Sequence, residues 1–261
     1  MKELRLVQVD AFADRPFTGN PAAVMPLDEW LPDEILQAIA MENNLSETAF
    51  TIPDATGAAD YELRWFTPGT EVVMCGHATL ASGHVLIEGE HVRFRTRRAG
   101  ILEVARDGEG YAMSLPSWAP APKALPRVVA ALGCTPVETL WHPQRYAVAL
   151  LEDEAAVRAV DPDFRALARE GDLLTIVTAP GDETDIVSRA FAPGAGIDED
   201  PVTGSAHAVL TPYWAVRLGR DRFTAFQASR RGGRLTCRLD GDRAVLGGRC
   251  VTVIEGVMRL P

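Results

Sequence analysis

The segment MCGHATLASGH, residues 74–84, places a cysteine and a histidine two residues apart at the start of an apolar run. A thiol beside an imidazole suggests a nucleophile with its base, a proton-transfer pair or part of a metal site. The spacing of Cys75, His77 and His84 matches no zinc pattern, so a metal site is not expected. Acyl transfer would need His77 to face Cys75, and the segment lacks the turn that usually exposes such a nucleophile.

The chain carries a second copy of this pattern. FTPG at residues 66–69 leads to EVVMCGHAT at 71–79, and FAPG at residues 191–194 leads to EDPVTGSAH at 199–207. The shared frame pairs Cys75 with Thr203 and His77 with Ser205, each pair flanking a glycine. Common small residues can match by chance, but a duplicated unit predicts two similar lobes with one site.

Both copies predict a strand that turns into a helix through a glycine. The first N–H groups of a helix lack intrahelical partners and lie at the positive end of its dipole, which suits an anion. Two such helix starts would hold a small carboxylate, although two capped helices with nothing bound would show the same pattern. The candidate substrate-binding residues are Gly76, Cys75, Gly204, Ser205 and Thr203.

Proton transfer at a carbon beside a carboxylate needs a base, an acid and fixed donors. Glu47 in LSETAF is the leading base, because it is a lone acid at the start of an apolar strand, where burial would strengthen it as a base. A solvated strand end is the competing interpretation. Asp200 in DEDPVTGSAH is the candidate partner, in competition with Asp198 and Glu199. His84 and His207 are expected to serve packing or capping.

Composition limits the class of protein. The 261 residues are 47% hydrophobic and 24% charged, which is typical of a globular chain, and the net charge of −10 with scattered arginines argues against nucleic-acid binding. No apolar stretch suits a signal peptide or a membrane span, so a cytoplasmic location is expected. The four cysteines form no C-x-x-C pair and predict no disulfide framework.

The pattern of elements predicts an α+β fold. Alternating strands cluster around few helices, without regular strand–helix alternation. SWAPAPKALP, residues 117–126, is the best linker candidate because it holds three prolines. We therefore predict a first lobe at residues 1–117, a second lobe at 118–250, and a C-terminal strand at 251–261 that joins the first lobe.

Five segments resemble the phenazine-biosynthesis PhzF-like family, within the diaminopimelate epimerase superfamily. They are VQVDAFADRPFTGNPAAV, NNLSETAF, LRWFTPGTEVVMCGHATLASGHVL, FAPGAGIDEDPVTGSAHAVLTPYW and QASRRGGRL. The resemblance implies two pseudo-symmetric lobes, each a curved mixed sheet around a central helix, with the active site in the cleft between them. It also implies a homodimer without cofactor or metal.

The best-understood activity of that family is isomerisation of trans-2,3-dihydro-3-hydroxyanthranilate, in which one glutamate takes a proton from a ring carbon and returns one elsewhere. The resemblance places Glu47 at that glutamate's position and His77 and Asp200 at the assisting positions. It places Gly76, Gly204 and Ser205 where the substrate acid is held. The expected protein is thus a cofactor-independent isomerase of a small carboxylic acid, either cyclic or acyclic.

A departure from the epimerase branch separates the alternatives. Diaminopimelate epimerases use two cysteines, each before a glycine at a helix start, whereas this chain has Cys75 at the first position and Thr203 at the second. A hydroxyl is far too weak an acid for that role, so a two-thiol racemase is disfavoured. An epimerase or racemase that uses Glu47 and Cys75 stays open, as does a non-catalytic small-acid-binding or interaction protein.

Overall fold

The structure, a computed structural model, describes residues 2–260. The chain divides into two compact units, the first formed by Met1–Ser114 with Gly247–Pro261 and the second by Leu115–Leu246. Residues 115–117 thus belong to the second unit, although the sequence placed them in the first lobe. Residues 247–250 belong to the first unit, although the sequence placed them in the second lobe. None of the helices among residues 2–260 is both long and apolar enough to cross a bilayer.

The first unit contains two helices, α1 (Asp33–Asn43) and α2 (Gly76–Leu86). Its strands are β1 (Lys2–Ala11), β2 (Asn20–Pro26), β3 (Glu47–Pro53), β4 (Tyr61–Phe66), β5 (Glu71–Val72), β6 (His91–Thr96), β7 (Ile101–Asp107), β8 (Gly110–Pro116) and the C-terminal β18 (Cys250–Leu260). β1 pairs antiparallel with β18 and β2, β2 parallel with β3, and β3 antiparallel with β4. β4 then pairs parallel with β6, which continues antiparallel through β7 to β8. The sheet is therefore mixed.

Helix α2 is the central element of this unit. Every residue from Gly76 to Gly83 is buried, and the helix contacts β1, β2, β3, β6, β7 and β18. Gly83 allows a close approach to β7, since a Cβ there would lie 2.4 Å from Val104 Cγ1. A helix in contact with so many strands requires the sheet to curve around it. The other face of the sheet packs on α1 through Leu4, Met25, Leu36, Ile39, Phe50 and Phe66.

The second unit contains four α-helices, α3 (Pro126–Leu132), α4 (Glu154–Ala159), α5 (Phe164–Ala168) and α6 (Gly204–Leu218). Its strands are β9 (Ala121–Pro122), β10 (Glu138–His142), β11 (Tyr146–Leu150), β12 (Leu174–Pro180), β13 (Ile186–Ala192), β14 (Ile197–Asp200), β15 (Arg222–Gln227), β16 (Gly233–Asp240) and β17 (Arg243–Gly248). A short 3-10 turn covers Pro193–Ala195. Part of the predicted linker thus forms β9, which pairs with β10.

The pairing of the second unit repeats that of the first. β10 and β11 are antiparallel, β11 and β12 parallel, β12 and β13 antiparallel, β13 and β15 parallel, and β15 and β16 antiparallel. Helix α6 follows β13 and precedes β15, as α2 follows β4 and precedes β6. The predicted α+β fold, with two similar units each built on a central helix, is confirmed.

The repeated register equates individual residues of the two units. Phe66 and Phe191, which open the two F-x-P-G motifs, lie opposite Thr48 and Thr175 respectively. The residue before each threonine is Glu47 in the first unit and Leu174 in the second, and their parallel partners are Ala22 and Tyr146. Glu47 therefore corresponds to Leu174, and Ala22 to Tyr146.

Candidate active site

Glu47 is the first residue of β3, and a short turn after α1 fixes its position. Asn44 ends α1 in the left-handed conformation, with φ of 48°, and donates its N–H to the Ala40 carbonyl at 3.1 Å. Asparagine adopts this conformation more readily than most residues. Asn43 Nδ2 then donates to Thr48 Oγ1 at 3.0 Å, which ties the helix end to the strand. The Glu47 side chain is consequently held at the start of β3, where it is 12% exposed.

The structure brings Glu47, His77 and Cys75 together at the start of α2. His77 Nε2 lies 2.9 Å from Glu47 Oε2, and His77 Nδ1 lies 3.5 Å from Cys75 Sγ. The Glu47–His77 contact lacks hydrogen-bond alignment, so these two buried atoms have no hydrogen-bond partner among the described residues. A carboxylate, an imidazole and a thiol thus form one buried row, with the imidazole in the middle.

Burial and neighbouring charge set the protonation of this row. Burial, with the nearby Glu47 carboxylate, raises the pKa of the Cys75 thiol to about 11. Burial would lower the pKa of His77, but its contacts with Cys75 and Glu47 outweigh that effect and raise this pKa well above 6.5. At neutral pH the thiol is therefore protonated, and the raised pKa of His77 favours its imidazolium form.

The raised pKa of His77 predicts a pH-dependent stability. The folded protein binds this proton more tightly than the unfolded chain, so the contribution to the unfolding free energy is full below the unfolded pKa of 6.5 and is lost as the pH rises through the folded pKa. We expect the difference in unfolding free energy between wild type and His77→Gln to shrink between about pH 6 and pH 9 in urea titrations. If that difference in unfolding free energy stays constant or grows over this range, the pKa of His77 is not raised by folding.

The same cluster lies at a helix N-terminus. Cys75 is the extended residue before α2, and its carbonyl accepts both the N–H of Thr79 at 3.2 Å and the Thr79 hydroxyl at 2.6 Å. The N–H groups of Gly76 and His77 have no partner within the helix, because they precede its first intrahelical bond. The positive end of the dipole is therefore next to Glu47 and His77, where it favours a bound anion.

These three side chains also form a possible metal-binding group. One ligand atom from each of Glu47, Cys75 and His77 lies within 4.8 Å of the others. Sulfur, nitrogen and oxygen donors at that separation suit a divalent ion such as Zn²⁺. The sequence analysis considered His84 as the third ligand, but Glu47 occupies that place in the structure. His84 instead contacts Tyr111 and Thr252 through its two ring nitrogens, at 3.1 and 2.9 Å.

In the second unit, Asp200 and Thr203 lie at the start of α6. Thr203 Oγ1 donates to Asp200 Oδ2 at 2.5 Å. Gln227, fully buried on β15, accepts the Thr203 N–H at 2.8 Å and donates to the Asp200 carbonyl at 2.8 Å. Sequence analysis missed Gln227 as a support of this turn, because its partners lie 24 and 27 residues away and its residue type alone indicates no chemistry.

The neighbouring candidates in the second unit have distinct surroundings. Glu199 forms an ion pair with Arg189 at 2.7 Å, which gives it a structural role. His207 is fully buried, and burial lowers its pKa to about 4, so it is a neutral residue whose Nδ1 contacts the Thr203 carbonyl at 2.9 Å. Ser205, which follows Gly204 in the first turn of α6, is half-buried and lies beside the Tyr146 side chain.

Comparisons with known proteins agree with this architecture. The family model described as phenazine biosynthesis-like protein matches residues 9–256. A Pseudomonas aeruginosa protein named as an uncharacterized isomerase is 50% identical, and the match covers 99% of each chain. A crystal structure of a PhzF-family phenazine biosynthesis protein from Enterococcus faecalis is 43% identical and covers 99% of this chain and 100% of that one, with a TM-score of 0.93.

A more distant similarity concerns the fold alone. The crystal structure of a hydroxyproline epimerase from Agrobacterium vitis, with bound trans-4-hydroxy-L-proline, is 13% identical with a TM-score of 0.59. The match covers 98% of this chain and 92% of that one. The architecture is thus shared with an epimerase.

Proposed function

The chain belongs to the phenazine biosynthesis-like protein family, and we propose that it is a cofactor-independent isomerase that moves a proton and a double bond on a small carboxylic acid. The observation that carries this proposal is the buried contact of 2.9 Å between the Glu47 carboxylate and His77 at the start of α2. It combines a base, an acid and an anion-binding helix terminus, which are the parts that proton transfer beside a carboxylate requires.

Glu47 acts as the base that removes a proton from carbon and returns it to another carbon. Charge that develops on the substrate during this step is stabilised by the His77 imidazolium and by the first N–H groups of α2, chiefly those of Gly76 and His77. Cys75, protonated at neutral pH, contributes a neutral donor next to His77 rather than a second base.

The second unit supplies substrate-binding groups in this proposal. Gly204 and Ser205 hold the acid at the first turn of α6, and Asp200 assists. The hydrogen bonds of Asp200 and Gln227 to Thr203 support these roles, because they order the turn that precedes α6.

The repeat favours a single base over two opposed bases. The residues equivalent to Glu47, Cys75 and His77 in the second unit are Leu174, Thr203 and Ser205. None of these three side chains exchanges a proton with carbon near neutral pH. This asymmetry supports an isomerase whose one base takes and returns the proton, rather than a racemase with a base in each unit.

An epimerase that uses Glu47 and Cys75 is the second candidate, and it is favoured by the position of the Cys75 sulfur 3.5 Å from His77. The raised pKa of Cys75, about 11 because of burial, argues against it, because few thiols at that site would be ionised at pH 7. A non-catalytic acid-binding protein would need the helix starts but would not need the buried Glu47.

Incubation with a panel of amino, hydroxy and unsaturated carboxylic acids in heavy water tests the proposal, with NMR as the readout. An isomerase moves a double bond and places deuterium at the carbon that accepts the proton, whereas an epimerase exchanges and inverts the α-hydrogen. Binding with neither conversion nor exchange across the panel would indicate an acid-binding protein. A chelator is included in a parallel series, because a loss of exchange there would show that the activity requires a metal ion and would contradict a cofactor-independent reaction.

A further inference from the structure

In the second unit, an aromatic surface lies beside the residues that correspond to the acid–base pair of the first unit. Tyr146 corresponds in register to Ala22, and it is the direct parallel partner of Leu174, the residue equivalent to Glu47. Ser205, the residue equivalent to His77, lies beside the Tyr146 hydroxyl. A small aliphatic side chain in one unit is therefore matched by a large planar one in the other, next to a proposed substrate-binding serine.

Trp118 and His142 complete this surface, which we name the Tyr146 surface. The Trp118 ring stacks on Tyr146 with centroids 5.5 Å apart and an interplanar angle of 29°, and on His142 at 6.3 Å and 27°. All three rings are half-buried, so each keeps part of its area open to solvent. Aromatic rings arranged in this way offer an apolar, planar contact at low conformational cost.

Pro212 of α6 fixes Trp118 in place. Proline has no N–H, so the Ala208 carbonyl four residues earlier loses its usual partner within the helix. The Trp118 N–H donates to that carbonyl instead, at 3.2 Å. The backbone that carries the Trp118 ring is therefore attached to the same helix whose first turn contains Ser205.

We propose that the Tyr146 surface determines substrate specificity by binding a planar, unsaturated part of the acid whose carboxylate is held at the start of α6. The inference rests on the proposed function for the identity of Ser205 as a substrate-binding residue. Because Tyr146 pairs with Leu174 and its hydroxyl lies beside Ser205, its ring is next to the place where that carboxylate would bind. Stacking between rings is worth about 0.5–1.5 kcal/mol beyond the area buried, which corresponds to a preference of about twofold to tenfold for a planar ring.

Benzoate and cyclohexanecarboxylate provide a matched pair of probes, because they share charge and ring size and differ in planarity. Dissociation constants are measured by ligand-observed NMR or calorimetry for the wild type, Tyr146→Leu and Trp118→Leu. We expect the wild type to prefer benzoate by about fivefold, and both variants to lose that preference while cyclohexanecarboxylate binds within about twofold of wild type. Trp141→Leu, which removes a half-buried aromatic ring from β10 in the same unit, serves as the control and is expected to keep the preference.

Several outcomes would overturn the proposal. These are an absence of preference in the wild type, a preference that survives in both variants, an equal weakening of both probes, and an absence of benzoate binding. Trp118→Leu tests the same surface through a second residue if Tyr146→Leu does not fold. Measurement in a Glu47→Gln background separates this proposal from the catalytic one, because binding of both probes there does not require turnover.

Discussion

Replacing Glu47 by glutamine is expected to lower turnover by at least about 10²-fold while the fold and ligand binding are retained. Glutamine preserves the size of the side chain but cannot accept a proton from carbon. The carboxylate that is lost is the one 2.9 Å from His77 Nε2. Rates are measured on the panel acid that the wild type converts, with circular dichroism and thermal unfolding to establish that the variant is folded.

Glu154 provides the matched control for this change. It is also buried, at 8% exposure, but it forms an ion pair with Arg158 and accepts the Asp182 N–H at 2.8 Å in the second unit. Glu154→Gln is expected to cost about 1–2 kcal/mol of unfolding free energy and to leave turnover within about twofold of wild type. Turnover of Glu47→Gln within tenfold of wild type would remove Glu47 from the mechanism.

Replacing Arg64 by alanine is expected to cause the largest loss of stability, about 3 kcal/mol, which lowers the melting temperature by about 6–12 °C. The guanidinium is almost fully buried, donates to both carboxylate oxygens of Glu71 at 2.8 and 2.9 Å, and donates to Asp33 at 2.9 Å. It also lies 5.2 Å from the Trp30 ring centroid and 5.0 Å from that of Phe66. Calorimetry measures the expected shift.

Arg97→Ala is the control, because Arg97 is half exposed and contacts the same two carboxylates of Glu71 and Asp33 at 3.3 and 3.7 Å. Exposed ion pairs contribute about 0–1 kcal/mol, so this variant is expected to melt within about 3 °C of wild type. If both variants lowered the melting temperature equally, burial would not explain the contribution of Arg64 to stability. Because Glu71 begins the segment that leads to Cys75, we also expect Arg64→Ala to lower turnover through loss of order at the start of α2.

Much of the architecture was predictable because local patterns determine it. The glycine after Cys75 and the apolar residues that follow predicted a helix at residues 76–86, which is α2 as observed. The two F-x-P-G motifs predicted the duplication, since one of them precedes each central helix.

The candidate site was predictable in its residue types but not in its contacts. Glu47 and His77 lie thirty residues apart, and only the packing of α2 against β3 brings their side chains to 2.9 Å. The equivalence of Glu47 with Leu174 follows from the pairing of the strands. It could not be predicted from the sequence, because both residues lie outside the repeated segments around Cys75 and Thr203. The proposed role of Tyr146 could likewise not be predicted from the sequence, because it depends on the pairing of Tyr146 with Leu174 and on its position beside Ser205.

The path of the proton from one carbon to the other can be followed with deuterium. The panel acid that the enzyme converts is prepared with deuterium at the carbon that loses its proton, and it is converted in ordinary water under single-turnover conditions. One shielded glutamate that takes and returns the proton predicts that part of the deuterium appears at the new carbon of the product. Complete loss of deuterium to solvent at every time point, with undiminished turnover, would contradict a single buried base at Glu47.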